Sequence, residues 1–449
     1  MILEVAPGNP LIGTTSVPGD KSISHRVALL AGLSSGDCRI ENFLVAGVTK
    51  VMLCALSELG IEWKLVGKTL TIKGAGLQRT SEDTDIVQLD CGNSGTTMRL
   101  LAGFVAALGL PAVLDGSARL RERPMKRILT PLQRMGVEIQ ASPGGGAPLS
   151  ISVRPPERKL RALQYTLPVA SAQVKSCILL AALAAEGETI LTEPGLSRDH
   201  TERLLRSLGA TINSQVIVSS EDASVQVETH FTPPDPLELE PFNLLLPGDF
   251  SSAAFLIVAA VITPGSEVKI NNVGLNPTRT GLLDVLRSMG ADIAITNRND
   301  SGGEPLGDLH VRYSKLRGTT VSGAIVVRMI DEFPIFAVAA THANGRTVVE
   351  DATELRHKES DRIHDLCVEL QRLGADLVES ADGFVINGGK MLVGGRVGTH
   401  RDHRLAMALL VAGMGASGPV EIEQAEIITE SFPQFVHILR NMGAVINEK

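Results

Sequence analysis

The amino-acid sequence predicts a two-domain α/β protein assembled from six copies of one small helix-and-strand unit. Three observations lead there. A Leu-x-x-Leu/Met-Gly pattern followed by an apolar residue recurs as LSELGIEW (56–63), LQRMGVEI (132–139), LRSLGATI (205–212), LRSMGADI (286–293), LQRLGADL (370–377) and LRNMGAVI (439–446). The chain has 449 residues, beyond the size at which one hydrophobic core stops growing, so two domains are expected and six units divide into three and three. Finally, PGDKSIS at 18–24 and PGDFSSA at 247–253 repeat one turn ahead of each three-unit block.

Each copy reads as helix, stop, strand. The amphipathic segment ends at Gly60, Gly136, Gly209, Gly290, Gly374 or Gly443, where glycine can take the left-handed conformation that closes a helix. The apolar residue two places on starts an extended segment. A unit this small cannot bury its apolar face alone, so the copies pack together and functional residues are expected where they meet.

The two Pro-Gly-Asp turns read as helix starts preceded by extended stretches at 12–17 and 237–246. The chain is therefore expected to leave one domain at the first turn and re-enter it at the second. Residues 1–20 with 246–449 form a discontinuous domain, and 21–245 an inserted one. A chance echo is the alternative to this division. Polar, Gly/Pro-rich stretches at 142–148, 219–236 and 297–307 read as surface connections.

The five cysteines, Cys38, Cys54, Cys91, Cys177 and Cys367, are odd in number and never spaced as CxxC, which fits reduced, buried thiols in a cytoplasmic protein. MILEVAPGNP carries no basic segment ahead of an apolar core, so no secretory signal is expected. The longest apolar run, 253–262, falls well short of the ~20 residues that span a bilayer. With a net charge of -8 and 3% aromatic residues, the chain lacks the basic footprint and stacking rings of nucleic-acid binders. A small-molecule substrate, no membrane and no nucleic-acid partner are expected.

Anion chemistry is expected at helix starts. In PGDKSISHR, Asp20 suits an N-cap, Lys21 and Ser22 fall in the first turn, and Arg26 lies one turn beyond Ser22. First-turn N–H groups are unsatisfied and the dipole is positive there, so cations beside them favour a bound anion over a merely solvated cap. CGNSGTTMR (91–99), with Asn93 and Gly95, is a glycine-rich turn feeding an apolar segment from Leu100. Ser171-Ala172-Gln173 opens another helix. Dense basic groups follow: Arg119, Arg121, Arg123, Lys126 and Arg127; Arg198; Arg356, Lys358 and Arg362; Arg401 and Arg404. A charge run is commonly a solvated face, but beside glycines, hydroxyls and helix starts forked guanidiniums suit phosphate and carboxylate. Among these cations stand Glu359 and Asp331, both suited to accept a proton. For Asp331 an N-cap role fits the residues equally well. No HExxH, clustered His/Cys, GxSxG, GxGxxG or GxxxxGK[ST] pattern occurs, so neither metal nor cofactor is expected.

In order and spacing, PGDKSISHR, GNSGTTMR, RERPM, SAQVKS, SRDHTER, NPTRTG, MIDEFP, KESDR and DHRLAM resemble the 5-enolpyruvylshikimate-3-phosphate synthase family, from about residue 12 to the C-terminus. The resemblance implies a two-domain inverse α/β barrel with the active site in the interdomain cleft. The implied reaction transfers the enolpyruvyl group of phosphoenolpyruvate to the 5-hydroxyl of shikimate 3-phosphate, releasing phosphate, in aromatic amino-acid biosynthesis. It implies a monomer, a target of glyphosate. By similarity Lys21 contacts both substrates, while Ser22, Arg26, Ser171, Ala172, Gln173, Arg198, Asp331 and Lys358 hold shikimate 3-phosphate. Asn93, Gly95, Arg123, Gln173, Arg362 and Arg404 would hold phosphoenolpyruvate. Asp331 would take the 5-hydroxyl proton and Glu359 would serve the methylene carbon, with Lys21 sharing these transfers.

Two departures stand out: Glu430 occupies the place where many relatives carry lysine before Ser431-Phe432-Pro433, and Ser94 replaces a common alanine. The UDP-N-acetylglucosamine enolpyruvyl transferase reading needs a loop cysteine where this chain has Ala118. A catalytically silent scaffold of the same fold would have lost the cationic residues that remain.

Overall fold

All six repeat glycines have left-handed backbones, with φ of 78 at Gly60, 93 at Gly136, 88 at Gly209, 101 at Gly290, 80 at Gly374 and 117 at Gly443. A side chain there would be strained, which is why the pattern keeps glycine. The computed structural model describes residues 1–77, 85–218, 225–234 and 238–449. The chain separates into two compact units. One comprises Met1–Pro18, Pro247–Asp300 and Pro305–Lys449; the other comprises Gly19–Leu246 and Ser301–Glu304.

The second of these units contains helices α1 (Lys21–Gly32), α2 (Gly47–Glu58), α3 (Gly95–Leu108), α4 (Ala118–Arg121), α5 (Lys126–Arg134), α6 (Ala172–Ala182) and α7 (His200–Ser207). Each of its repeats forms a four-stranded sheet. In the middle one, Val87–Asp90 runs parallel to Ala112–Asp115, which pairs antiparallel with Leu149–Ile151, which pairs antiparallel with Ile139–Ala141. The parallel pair requires a crossover, and α3 supplies it. Helices α1, α3 and α6 are largely buried in one apolar core. Packing of α3 on α6 is so close that a Cβ at Gly103 would lie 2.1 Å from the Cys177 carbonyl oxygen.

The other unit repeats this plan with α8 (Phe250–Ile262), α9 (Gly281–Ser288), α10 (Ala324–Arg328), α11 (Phe333–His342), α12 (Arg362–Arg372), α13 (His403–Met414) and α14 (Phe435–Asn441). It has its own core. Every residue of α8 and α13 is buried, and beyond their first turns these helices are apolar all round, whereas α9, α12 and α14 keep a polar face. Among the described residues no helix is long and apolar enough to cross a membrane.

The paired turns are built alike. Asp20 Oδ1 accepts from the Ile23 N–H at 2.9 Å and Asp249 Oδ1 from the Ser251 N–H at 2.8 Å. A Cβ at Gly19 would fall 1.8 Å from the Asn42 carbonyl oxygen, and one at Gly248 2.7 Å from Val17 Cγ2 and 3.2 Å from the Asn272 oxygen. Asn42 and Asn272 are themselves left-handed, at φ 55 and 52.

Several expectations need correction. The stretch 297–307 is strand for most of its length, Asp292–Ser301 and Glu304–Arg312 joined by Gly302 and Gly303. Its polarity reflects a mostly exposed edge strand, the last in its sheet. Within 219–236, Val225–Thr232 is also strand, while 219–224 and 235–236 lie outside the described residues, as does 237. Of the stretch before the second turn only Asn243–Leu245 is strand. Helix α3 begins at Gly95, five residues ahead of the expected apolar start. Cys54 is exposed, unlike the other four free cysteines, because it shares with Lys50 the outer face of α2.

Candidate active site

In the unit of α1–α7, the site residues expected from sequence gather around the first turns of α1, α3 and α6. Arg26, one turn into α1, is 3% exposed. Its guanidinium donates to the Ser22 carbonyl at 2.8 Å, Thr201 Oγ1 at 2.8 Å, Ser176 Oγ at 2.8 Å and the Ala172 carbonyl at 3.3 Å. Four of five donors are thus used inside the unit, so Arg26 ties α1 to α6 and α7 and keeps at most one Nη1–H for a ligand. Burial pulls its pKa down to about 10, with Glu202 opposing and Arg198 adding to the effect; the group stays charged at neutral pH. Arg198 Nη1 reaches Ser22 Oγ at 3.5 Å. Ser22, Ala172 and Arg198 are therefore brought together around Arg26, with Lys21 and Ser171 beside them in sequence.

Gln173 links the α6 start to α3. Its Nε2 donates to Thr96 Oγ1 at 2.9 Å, and its Oε1 accepts from Arg99 Nη1 at 2.5 Å. At Gly95 an added Cβ would lie 3.1 Å from Arg123 Nη1 and 3.2 Å from Arg99 Nη1. Two guanidiniums thus face the first residue of α3, where the unsatisfied N–H groups and helix dipole favour an anion. Arg99, the last residue of GNSGTTMR, carries no role in the sequence reading. The signal was its place one turn after Gly95. Ser94 is the N-cap of α3, accepting from the Thr97 N–H at 3.1 Å and from Thr97 Oγ1 at 2.8 Å. Asn93 Oδ1 accepts from Ser117 Oγ, anchoring the turn ahead of α4. Arg121, in contrast, pairs with Asp115 on the surface.

Behind the α6 start lies a buried ionic group. Lys175 Nζ is 2.5 Å from Glu193 Oε1 and 2.7 Å from Glu202 Oε1, all three at most 2% exposed. Burial alone would lower the lysine pKa, but the two carboxylates outweigh it and raise it. This holds α6 against α7 and the strand Thr189–Glu193, which flank Arg198.

In the unit of α8–α14, Arg362 and Arg404 grip Asp331. Arg362 Nη1 is 3.4 Å from Asp331 Oδ1; Arg404 Nη2 is 3.4 Å from Oδ2, and its Nη1 donates to the Asp331 carbonyl at 3.1 Å. Arg362 also binds Glu359 Oε2 at 2.6 Å and Asp402 Oδ2 at 2.7 Å. Asp331 and Glu359 therefore share one guanidinium while remaining 16% and 33% exposed. Burial alone would lower the Arg362 pKa, yet Asp402, Glu359 and Asp331 together raise it. Lys358, directly before Glu359, has its pKa lowered by burial, which Asp331 opposes.

Asp331 is not a helix cap: α11 starts at Phe333 with Glu332 in the N-cap position. The N-cap role that the sequence leaves open for Asp331 falls to its neighbour instead. Asp402, unassigned from sequence, is the N-cap of α13, accepting from the Arg404 N–H at 2.8 Å. Behind Asp331, Ser251 donates to Glu332 and accepts from Arg279 Nη2 at 2.7 Å, with Asp249 3.1 Å from the same nitrogen. Among the described residues no cluster of His, Cys, Asp and Glu could hold a metal ion.

Each unit thus presents clustered cationic side chains, and one adds two partly exposed carboxylates on a shared guanidinium. The sequence model of EPSP synthase (3-phosphoshikimate 1-carboxyvinyltransferase) matches residues 5–439. The chain belongs to the EPSP synthase family. The 3-phosphoshikimate 1-carboxyvinyltransferase of Geobacter sp. (strain M21) is 46% identical over 436 residues, 97% of each chain. A solved EPSP synthase from Acinetobacter baumannii superposes with a TM-score of 0.86 at 38% identity, covering 100% of both chains. The enolpyruvyl transferase NikO from Streptomyces tendae has the same fold, with a TM-score of 0.76 at 21% identity over 100% of this chain and 98% of that one. Ala118, where the UDP-N-acetylglucosamine enolpyruvyl transferase reading needs a cysteine, is the first residue of α4.

Proposed function

We propose that this EPSP synthase family enzyme transfers the enolpyruvyl group of phosphoenolpyruvate to the 5-hydroxyl of shikimate 3-phosphate. The observation that carries this reading is the pair of carboxylates, Asp331 and Glu359, held on the single guanidinium of Arg362. Acid–base chemistry at two neighbouring atoms needs such a pair, and a shared cation holds the two groups side by side.

Asp331 takes the proton of the 5-hydroxyl as its oxygen attacks C2 of phosphoenolpyruvate. Glu359, in its protonated form, gives its proton to the methylene carbon, which completes a tetrahedral intermediate. In the second step Glu359 regains a proton from the resulting methyl group, the C2–O bond to phosphate breaks, and phosphate leaves with the bonding pair and takes up the proton that Asp331 held. Lys21, in the first turn of α1, shares these transfers. Ser22, Arg26, Ser171, Ala172, Gln173, Arg198 and Lys358 bind shikimate 3-phosphate, Arg26 chiefly by fixing its neighbours. Asn93, Gly95, Arg123, Gln173, Arg362 and Arg404 bind phosphoenolpyruvate, with Arg99 orienting Gln173. Clustered cations at helix starts supply the charge that two phosphates and two carboxylates require.

The reading carries with it a monomeric cytoplasmic enzyme, in keeping with five free cysteines. The test is phosphate release from phosphoenolpyruvate with shikimate 3-phosphate as acceptor, set beside UDP-N-acetylglucosamine. Turnover with the first and none with the second is expected; the reverse would overturn the assignment.

A further inference from the structure

Helix α12 holds both ends of the turn at 398–402. Near its start Arg362 binds Asp402; two turns later on the same helix, Glu369 binds the other end. Glu369 is wholly buried. Its Oε2 accepts from the Gly398 N–H at 3.0 Å, and its Oε1 lies 2.7 Å from His400 Nε2. The other His400 nitrogen, Nδ1, is 3.2 Å from Asp365 Oδ1, one turn before Glu369 on α12. Arg372 Nη1, on the solvent side, also contacts Glu369, at 2.8 Å and 3.0 Å.

Between these anchors His400 and Arg401 have φ of 48 and 57. Two consecutive side-chain-bearing residues in the left-handed region are strained, and they persist only where surrounding contacts impose them. The strained pair leads directly into Asp402, whose carboxylate receives Arg362 and caps the helix that carries Arg404. Arg372 alone could neutralise Glu369 in solvent. What the burial adds is a fixed acceptor for Gly398 and His400.

We infer that Glu369 is a positioning residue for the reaction: by holding the left-handed His400–Arg401 turn it sets Asp402, and through it the relative placement of Arg362 and Arg404. This rests on the proposed reading in which those two arginines bind phosphoenolpyruvate.

The test measures KM for each substrate, kcat and thermal stability in Glu369→Gln, His400→Ala, Arg404→Lys and the double variant Glu369→Gln/Arg401→Gly. Loosening the turn should raise KM for phosphoenolpyruvate about tenfold, since small displacements within a bidentate site are costly, and leave KM for shikimate 3-phosphate within about twofold. Glycine adopts the left-handed conformation freely, so Arg401→Gly should recover several-fold of the loss in Glu369→Gln. His400, partly exposed, gives the same readout should Glu369→Gln fail to fold. If Arg404→Lys raises KM for phosphoenolpyruvate while the turn variants do not, the inference is wrong and the binding reading stands. A rise in both KM values in step with lost stability, without recovery by glycine, means Glu369 only supports the fold. No change in Arg404→Lys removes the binding reading and this inference with it.

Discussion

Asp402 Oδ2 and Arg362 Nε lie 2.7 Å apart, with the carboxylate wholly buried and the guanidinium 2% exposed. Burial alone would raise the Asp402 pKa, but the Arg362 charge more than reverses this and the folded carboxyl titrates below 3.8. The stability it contributes is therefore present above the unfolded pKa and lost as pH falls through the folded value. Asp402→Asn keeps a cap on α13 but leaves Arg362 with less compensation. Removing one partner of a buried pair costs roughly 3–5 kcal/mol. Urea unfolding at neutral pH should show a loss of that order, shrinking as both proteins are taken toward pH 3. A variant as stable as the parent at pH 7 would mean the pair contributes nothing.

Glu359→Gln preserves shape and removes a proton carrier, so turnover should fall by ~100-fold or more while shikimate 3-phosphate still binds. The Arg362 contact at 2.6 Å also weakens, because an amide carries no charge. Single-turnover kinetics with calorimetric binding separate the two effects. Turnover within a few-fold of the parent would shift the proton-transfer role to Lys21.

The repeat glycines and the paired Asp20 and Asp249 caps could be read from sequence because their reasons are local: a positive φ admits glycine, and a helix start needs an acceptor. Arg26 could not be read in this way. Its spacing is that of any helix-face arginine, and its burial became visible only with α6 and α7 packed around it. For Asp331 the deciding partners, Arg362 and Arg404, are remote in sequence and come from two other helices. The 297–307 hairpin reads as a surface connection in the sequence because an exposed edge strand carries the same polar residues that a loop does.

His25, one turn after Lys21, gives a second pH signature. It is 1% exposed, its Nδ1–H donates to the Lys21 carbonyl at 2.7 Å, and Nε2 has no partner among the described residues. Burial first, then the charges of Lys21 and Arg26, lower its pKa from 6.5 to about 4. The native state therefore holds a neutral imidazole where the unfolded chain binds a proton. Stability is full above pH 6.5 and is lost on acidification from there to about pH 4, by on the order of 3 kcal/mol. His25→Gln should flatten this part of the stability–pH curve relative to the parent. Superimposable slopes between pH 4 and 6.5 would show that His25 does not contribute.

Gly95 gives the sharpest test of the phosphoenolpyruvate assignment. As the first residue of α3 it lies beneath two guanidiniums, with room for a Cβ only 3.1 Å from Arg123 Nη1 and 3.2 Å from Arg99 Nη1. Alanine would press on flexible side-chain ends, which can yield by a few tenths of an ångström, so the fold should survive. The pocket would still narrow. Glyphosate, which family resemblance puts in the same pocket, is longer than phosphoenolpyruvate and needs the space the methyl group takes. Overlap in a packed site costs ~1–3 kcal/mol, so Gly95→Ala should weaken glyphosate about 5- to 150-fold and phosphoenolpyruvate by less. The inhibition constant for glyphosate and KM for phosphoenolpyruvate, measured in both proteins, decide the matter. Equal proportional changes would show that residue 95 does not discriminate between the two and would move the phosphoenolpyruvate site away from the α3 start.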